Sequence, residues 1–180
     1  MRKLILVVMA MLTAAGLAVP STSADAQPSA ASSLQGKIAQ ELRAHPGGVQ
    51  ISPNQIAWLG GSVVLTLPAP GARTAAASGV VPNTTLHGCP GGWYCFYQDI
   101  NFGGRMLQFQ DCTPGGTIQY FSTYGFRNET SSWVVNRSLN FVNVNDTETG
   151  YNLWNEPSNS SSSWVGSANN DRADWFICYS

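Results

Sequence analysis

Residues 89–112 read CPGGWYCFYQDINFGGRMLQFQDC, and the interpretation of the whole chain starts from them. Tyr97 and Phe102 lie five residues apart, and Gly104 follows Phe102 by two residues. A glycine readily adopts the positive φ angle of a strand that folds back on itself, and an aromatic residue seven positions earlier can pack across the fold. This spacing predicts a folded hairpin, followed by a strand that contains the apolar residues Met106, Leu107 and Phe109.

A second element lies downstream of this hairpin. Residues 124–133 read YGFRNETSSW and contain a Ser-Ser pair that ends at Ser132. The order Tyr97-x4-Phe102-x-Gly104 followed by Ser-Ser resembles the signature of a βγ-crystallin Greek-key motif. In that family the glycine shapes the folded hairpin, and the serine that corresponds to Ser132 hydrogen-bonds back to it.

The heptad CPGGWYC at residues 89–95 is similar to the start of the secreted Streptomyces metalloproteinase inhibitors, a bacterial branch of the same fold. This resemblance implies an all-β fold, with a βγ-crystallin-like double Greek key over residues 89–180. It also implies a secreted protease inhibitor that binds an extracellular protease through a rigid substrate-like loop. On this resemblance we expect the protease to be a metalloprotease.

The second Greek key of this domain is expected to be a degenerate repeat of the first. When Gly150 is aligned with Gly104, an asparagine and a glutamate take the places of the two aromatic residues. In the closing element, Asp174 stands where the first copy has Ser132. The second hairpin therefore keeps its glycine and loses its aromatic pair.

The N-terminus decides the compartment. Arg2 and Lys3 precede an apolar run over residues 4–18, and small residues follow at 24–26. This pattern is typical of a secretory signal peptide, which we place at residues 1–26. We therefore predict that the protein is secreted and extracellular.

All four cysteines follow residue 88, and an oxidising compartment favours two disulfides. Of the three connectivities that four cysteines allow, we favour Cys89 with Cys95 and Cys112 with Cys178. The first pair is close in sequence, and the second would tie the end of the chain to the first motif.

The region before the Greek keys is a small α+β segment. Leu34, Ile38 and Leu42 recur at helical spacing after Ser33, which we take as the N-cap, and alternating apolar residues from Val49 onward predict a hairpin with one buried face. We assign residues 34–68 to this segment, which is too small to be stable alone and is a pro-region, a folding aid or a permanent part of the mature protein. Residues 69–88 are predicted to be a linker.

Charge and motif content exclude several function classes. Only 11% of the residues are charged and the formal net charge is −1, which gives no basis for binding nucleic acid or an anionic membrane. The two histidines, His45 and His87, show neither zinc-ligand nor nucleophile–base spacing. We therefore predict a monomeric protein that is not an enzyme.

Calcium is the one metal that needs consideration, because many microbial βγ-crystallin domains bind it between two loops rich in Asp, Asn, Ser and Thr. Calcium prefers oxygen ligands, but Arg127 begins the first loop and Ala173 replaces a hydroxyl in the second. We therefore predict no cofactor, and calcium binding that is weak at most.

Two loops are candidates for the inhibitory contact. The loop from Cys89 to Cys95 is closed by the predicted disulfide and presents Trp93 and Tyr94, whereas residues 155–164 end in a tryptophan after a serine run. Because ordering a flexible loop costs binding entropy, we favour the closed loop.

The alternative function is a non-catalytic extracellular binding or structural module whose aromatic residues form a platform for a glycan or cell-wall ligand.

Overall fold

The computed structural model describes residues 30–74, 85–139 and 141–180. The predicted signal peptide lies outside these residues, as do residues 75–84 of the predicted linker. Within the described residues there is one α-helix, α1 (Ala30–Ala44), besides three short 3₁₀ helices, and none of them is long and apolar enough to cross a membrane. The strands are β1 (Val49–Ser52), β2 (Gln55–Trp58), β3 (Val63–Thr66), β4 (Trp93–Asp99), β5 (Gly103–Phe109), β6 (Thr117–Tyr120), β7 (Ser132–Asn136), β8 (Phe141–Asn145), β9 (Asn152–Pro157), β10 (Ser160–Ser162) and β11 (Trp175–Tyr179).

These strands form two antiparallel sheets. The first sheet has the order β1-β2-β3-β5-β4-β7-β10, and the second has the order β6-β11-β8-β9. Strands β4 to β7 form the first Greek key and β8 to β11 the second, and each key places its third strand, β6 or β10, in the sheet of the other key. This exchange ties the two keys together and confirms the predicted all-β double Greek key.

The core lies between the sheets and is rich in aromatic rings. Phe96 of β4 and Phe109 of β5 face Phe176 of β11, with ring centroids 5.1 and 4.8 Å from that of Phe176. Phe121, directly after β6, is 4.8 Å from Phe96 and completes the cluster. All four side chains are fully buried, so each sheet contributes rings that the other needs for its own burial.

The N-terminal segment continues the first sheet. Strand β3 pairs with β5 along Val63–Thr66, and β2 pairs with β3. Leu34 and Ile38 of α1 are buried in the same core cluster as the Greek-key rings. Residues 30–74 therefore share a sheet and a core with residues 85–180.

Two details of this segment differ from the prediction. Ser33 is not an N-cap, because α1 already includes Ala30 and the Ser33 hydroxyl donates to the Ala30 carbonyl at 2.7 Å. Val49 and Ile51 are exposed rather than buried, at 64% and 55%. Strand β1 is the edge of a seven-stranded sheet, and the opposite sheet has only four strands with which to cover it.

Arg105 links the helix to the first Greek key. Its Nη1 donates to Glu41 of α1 at 2.7 Å, and its Nη2 donates to Glu129 and, at 2.9 Å, to the carbonyl of Gly125. The guanidinium also lies over the ring of Phe126, 5.5 Å from the centroid. One largely buried cation thus connects a residue of the N-terminal segment to the loop before β7.

The two disulfides join Cys89 to Cys95 and Cys112 to Cys178, the connectivity favoured from the sequence. Their Cα atoms lie 5.9 and 5.6 Å apart. The first closes the short loop that leads into β4, and the second attaches β11, the last strand, to the loop that follows β5.

Candidate functional site

The folded hairpin between β4 and β5 is built around Gly104. This residue has φ +70°, and a Cβ at this position would lie 2.9 Å from side-chain atoms of both Asp99 and Gln98. Ser132 of β7 reaches back to the hairpin: its Oγ donates to the carbonyl of Asp99 at 2.7 Å and accepts from the backbone N–H of Phe102 at 3.0 Å. This is the contact that the βγ-crystallin resemblance implies.

Aromatic rings close the same hairpin from one side. The rings of Tyr97 and Phe102 meet edge to face at 5.6 Å, and Phe102 also stacks on His87 at 3.8 Å. The Tyr97 hydroxyl donates to the His87 carbonyl at 2.9 Å, and burial raises the pKa of this hydroxyl. The end of the predicted linker is therefore attached to the first hairpin, and His87 acts there as a packing residue.

The hairpin between β8 and β9 has the same outline and different contacts. Gly150 has φ +67°, but no atom lies within 4 Å of the position of a Cβ. Asp174 takes the place of the serine: its Oδ2 accepts from the backbone N–H of Thr147 at 2.8 Å. Arg127 donates to Asp174 and, at 3.4 Å, to Glu148 of the hairpin.

A second arginine completes this charged cluster. Arg172 donates to Asp146 at 2.7 Å, and Asp146 also accepts from the backbone N–H of Glu148 at 2.7 Å. Burial alone would raise the pKa of Asp146, but these hydrogen bonds outweigh it and lower the pKa. The hydrogen bond to Asp174 raises the pKa of Arg127. The carboxylates of the second hairpin are thus neutralised by side chains of the same molecule.

These loops do not fit calcium. Calcium would need several free oxygen ligands, whereas the guanidinium groups of Arg127 and Arg172 already bind the carboxylates of Asp146 and Asp174. In the described part of the chain, no three His, Cys, Asp or Glu residues are grouped so that they could hold a metal ion. No step of the function proposed below involves a metal held by this protein.

The predicted inhibitory loop offers little to a protease. Tyr94 is fully buried in the core, and its hydroxyl donates to the carbonyl of Asp111, so it cannot enter a protease pocket. Trp93 is half-buried and packs against the small cluster around the first disulfide. The exposed part of the loop is Gly91 and Gly92, which have no side chains. The disulfide does hold this loop closed, but its large residues point inward.

The other candidate loop is more ordered than its serine run suggested. Residues Ser160–Ser162 form strand β10, which pairs with β7, so the predicted flexibility is absent. Trp164 follows this strand and is 52% exposed. Its neighbours are fixed by the backbone: the carbonyl of Ser163 accepts from Asn101 at 2.8 Å, and the N–H of Val165 donates to Ser131 at 3.0 Å.

Trp164 stands at the edge of an open cleft of about 900 Å³ between the two Greek keys. Ile100, also 52% exposed, lines the same cleft. Its polar lining includes three carboxylates, Asp99, Glu129 and Asp171. The cleft therefore combines an exposed, fixed aromatic side chain with an acidic rim, and sequence reasoning missed it because the residues come from three separate stretches of the chain.

Comparison with known proteins gives two findings and one negative result. Among solved structures, a double mutant of clostrillin in complex with nickel is 28% identical over 49% of this chain and 98% of its own, with a TM-score of 0.39. A βγ-crystallin domain from Clostridium beijerinckii is 27% identical over 48% of this chain and 95% of its own, with a TM-score of 0.37. No curated protein matches the chain. Residues 83–175, just over half of the chain, match peptidase inhibitor family I36, and the protein therefore belongs to that family.

Proposed function

We propose that this protein is an extracellular inhibitor of metalloproteases, and that it binds its target through Trp164. Membership of a peptidase inhibitor family supports a protease as the partner and a role without catalysis of its own. The two disulfides are consistent with a secreted protein. The observation that carries the choice of loop is a bulky apolar side chain, exposed and yet held by backbone hydrogen bonds on both sides.

An inhibitor loop must be ordered before it binds, because ordering it in the complex would reduce affinity. The Trp164 loop meets this condition. Strand β10 fixes it on one side, the hydrogen bond from Asn101 to Ser163 ties it to the first folded hairpin, and the bond from Val165 to Ser131 ties it to the loop before β7. The Ser162 hydroxyl adds a further bond, donating to the carbonyl of Trp164 at 2.8 Å.

The chemistry of the loop suits a protease whose primary pocket accepts a large apolar side chain. Thermolysin-like metalloproteases have such a pocket at S1′, and Trp164 would fill it while Ile100 packs at its edge. The carboxylates of Asp99 and Asp171 give the rim of the contact its negative charge, since that of Glu129 is paired with Arg105. Rim charges influence the rate of association and select against partners of like charge, so we expect the target to be neutral or basic around its cleft.

The test is an inhibition assay in which residual thermolysin activity is measured against increasing amounts of the protein. Truncation of a central aromatic anchor typically costs at least about 2 kcal/mol, so Trp164→Ala should weaken inhibition roughly 30-fold. Trp93→Ala tests the loop favoured from the sequence and should change inhibition less than about threefold, because the side chain is half-buried. Tyr151→Ala, at a 70% exposed aromatic residue outside the cleft, is the matched control.

Each outcome separates the parts of the proposal. Full thermolysin activity at a large molar excess of inhibitor would reject the metalloprotease target, and inhibition of a serine, cysteine or aspartic protease instead would retain the inhibitor role. Loss of inhibition in Trp93→Ala but not in Trp164→Ala would return the contact to the disulfide-closed loop.

A further inference from the structure

The outward side of the second sheet carries apolar side chains that the core does not use. Along β11 the residues alternate, so that Phe176 and Cys178 are fully buried while their neighbours point away from the core. The same alternation on β6 and β8 brings further side chains to this side. The outer aromatic face, as we call it, consists of Ile118, Tyr120, Phe141, Trp175, Ile177 and Tyr179.

These six residues are adjacent across the strands. Trp175 pairs with Tyr120 and Ile177 with Ile118, while Tyr179 pairs with Phe141 on the other side of β11. The rings of Tyr120 and Trp175 are 6.5 Å apart, and those of Phe141 and Tyr179 are 4.8 Å apart. Two ring pairs thus lie at opposite ends of β11, four residues or about 13 Å apart, with the isoleucines between them.

This face is substantially open to solvent. Ile118, Tyr120 and Phe141 are 52%, 54% and 39% exposed, and the three residues of β11 are half-buried. Water-exposed apolar side chains that adjoin one another are uncommon on soluble monomers and usually mark a binding site. Of the described residues, the turn at Gly116 lies against Ile177 and Tyr179, while Ile118, Tyr120 and Phe141 remain open to solvent.

Its charge indicates what kind of ligand it suits. The four strands of the second sheet contain one charged residue, Glu156, and this residue is fully buried on the opposite side. Next to Ile177 lies an amide pair, in which Asn143 donates to Asn155 at 2.8 Å. A charged ligand would lose its hydration here without gaining a counter-charge, whereas a neutral one with hydroxyl groups could use the remaining donors and acceptors of the amides.

We propose that the outer aromatic face is a second binding site, separate from the protease contact, for an uncharged polysaccharide. In a hexopyranose with equatorial substituents the C–H groups form flat apolar faces, which stack on the aromatic rings. Its hydroxyl groups lie at the edges, where the Asn143 and Asn155 amides can hydrogen-bond to them. Two ring pairs in line along one strand suit a linear chain of such sugars, and the site would hold the inhibitor at a polymer surface.

The test is a pull-down of the intact secreted protein with microcrystalline cellulose and with chitin, both insoluble and uncharged. Wild-type protein should be depleted from solution by at least one of them. Tyr120→Ala and Phe141→Ala, at the two most accessible rings of the face, should each weaken binding about tenfold. Tyr151→Ala removes a more exposed aromatic ring outside the face and should bind as the wild type does.

Thermolysin inhibition by the same variants serves as the folding control and should be unchanged, so a failure of this proposal is distinguishable from a failure of the proposed function. The proposal is overturned if neither polymer retains the wild type, or if both ring variants are retained as strongly as the wild type. It is also overturned if sedimentation shows a dimer that Ile118→Lys converts to a monomer while polymer binding is absent, which would assign the face to a second copy of the chain.

Discussion

In the first Greek key the folded hairpin is closed by the rings of Tyr97 and Phe102 and by the hydroxyl of Ser132, whereas in the second it is closed by carboxylates and arginines. The backbone outline is similar, since Gly104 and Gly150 have φ angles of +70° and +67°. The chemistry that holds the outline is different. One hairpin depends on burial, and the other on charge.

The comparison shows how one Greek key can lose its aromatic residues and remain folded. Like Ser132, Asp174 accepts a hydrogen bond from a backbone N–H of its own hairpin, from Thr147 rather than from the position that aligns with Phe102, but its carboxylate brings a negative charge into a nearly buried position. Arg127 supplies the opposite charge. The same arginine occupies carboxylate oxygens that a calcium ion would need, so the ion pair that offsets the charge of Asp174 also disfavours calcium.

The largest difference between the hairpins is expected for the two glycines. Gly104→Ala should cost about 3 kcal/mol of folding free energy or more, because the positive φ is combined with a Cβ position only 2.9 Å from Asp99 and Gln98. Gly150→Ala meets no atom within 4 Å and should cost about 1 kcal/mol, from φ alone. Urea unfolding of both variants measures the two costs, and equal values would contradict the distinction.

The closing residues should differ in their response to salt. Ser132→Ala and Asp174→Ala each remove an acceptor for a backbone N–H, so each should destabilise the protein by about 2 kcal/mol. Asp174→Ala also deprives Arg127 of its main partner, which is an electrostatic loss that salt screens. The free energy of unfolding is measured at low and at high ionic strength. The destabilisation caused by Asp174→Ala should be smaller at high than at low ionic strength, whereas that caused by Ser132→Ala should be the same at both. The same salt dependence for both would show that charge does not distinguish the hairpins.

The inward side of β9 allows a further test, because the second key buries a carboxyl group there. Glu156 is fully buried, its Oε1 accepts from Trp154 at 2.8 Å, and its Oε2 has no hydrogen-bond partner. Burial raises the pKa of Glu156 well above its ordinary 4.5. The folded protein therefore holds this proton when the unfolded chain has released it, and stability decreases as the pH rises above 4.5 towards the raised pKa.

Glu156→Gln should remove this pH dependence. The variant is expected to be more stable than the wild type at pH 7, where the wild type bears the cost of the buried acid, and equally stable near pH 4. Thermal unfolding of both proteins across this pH range measures the difference. A variant that is less stable at pH 7 would show that the ionised carboxylate is stabilised in the folded protein.

The smallest effect is expected for calcium. Since Arg127 and Arg172 already neutralise the carboxylates of the second hairpin, millimolar calcium should shift the melting temperature of metal-stripped protein by less than about 1 °C. Magnesium at the same concentration controls for ionic strength. A rise of several degrees with calcium alone would mean that the loops bind it in spite of the arginines.

Much of the fold could be predicted because its determinants are local or pairwise. The Tyr97–Gly104 spacing specifies a hairpin, since only glycine fits both the φ angle and the crowded space that the structure shows at Gly104. The cysteine pairing followed from separation along the chain. The N-terminal helix was recognised from the period of Leu34 and Ile38, although its first residue was not, because a serine inside a helix and a serine at its cap look alike in sequence.

The signal for the double Greek key and the family lies in residue order, because φ preferences, disulfides and turn motifs act over short stretches of chain; the prediction of secretion likewise rests on residue order alone. Which side chains are exposed to a binding partner depends on whether another part of the fold packs over them. Tyr94 is buried because the rings of the second sheet cover it, while Trp164 is exposed because β10 crosses to the first sheet and ends there. The outer aromatic face likewise exists because three strands from both Greek keys, β6, β8 and β11, align in one register, and no single strand contains more than three of its residues.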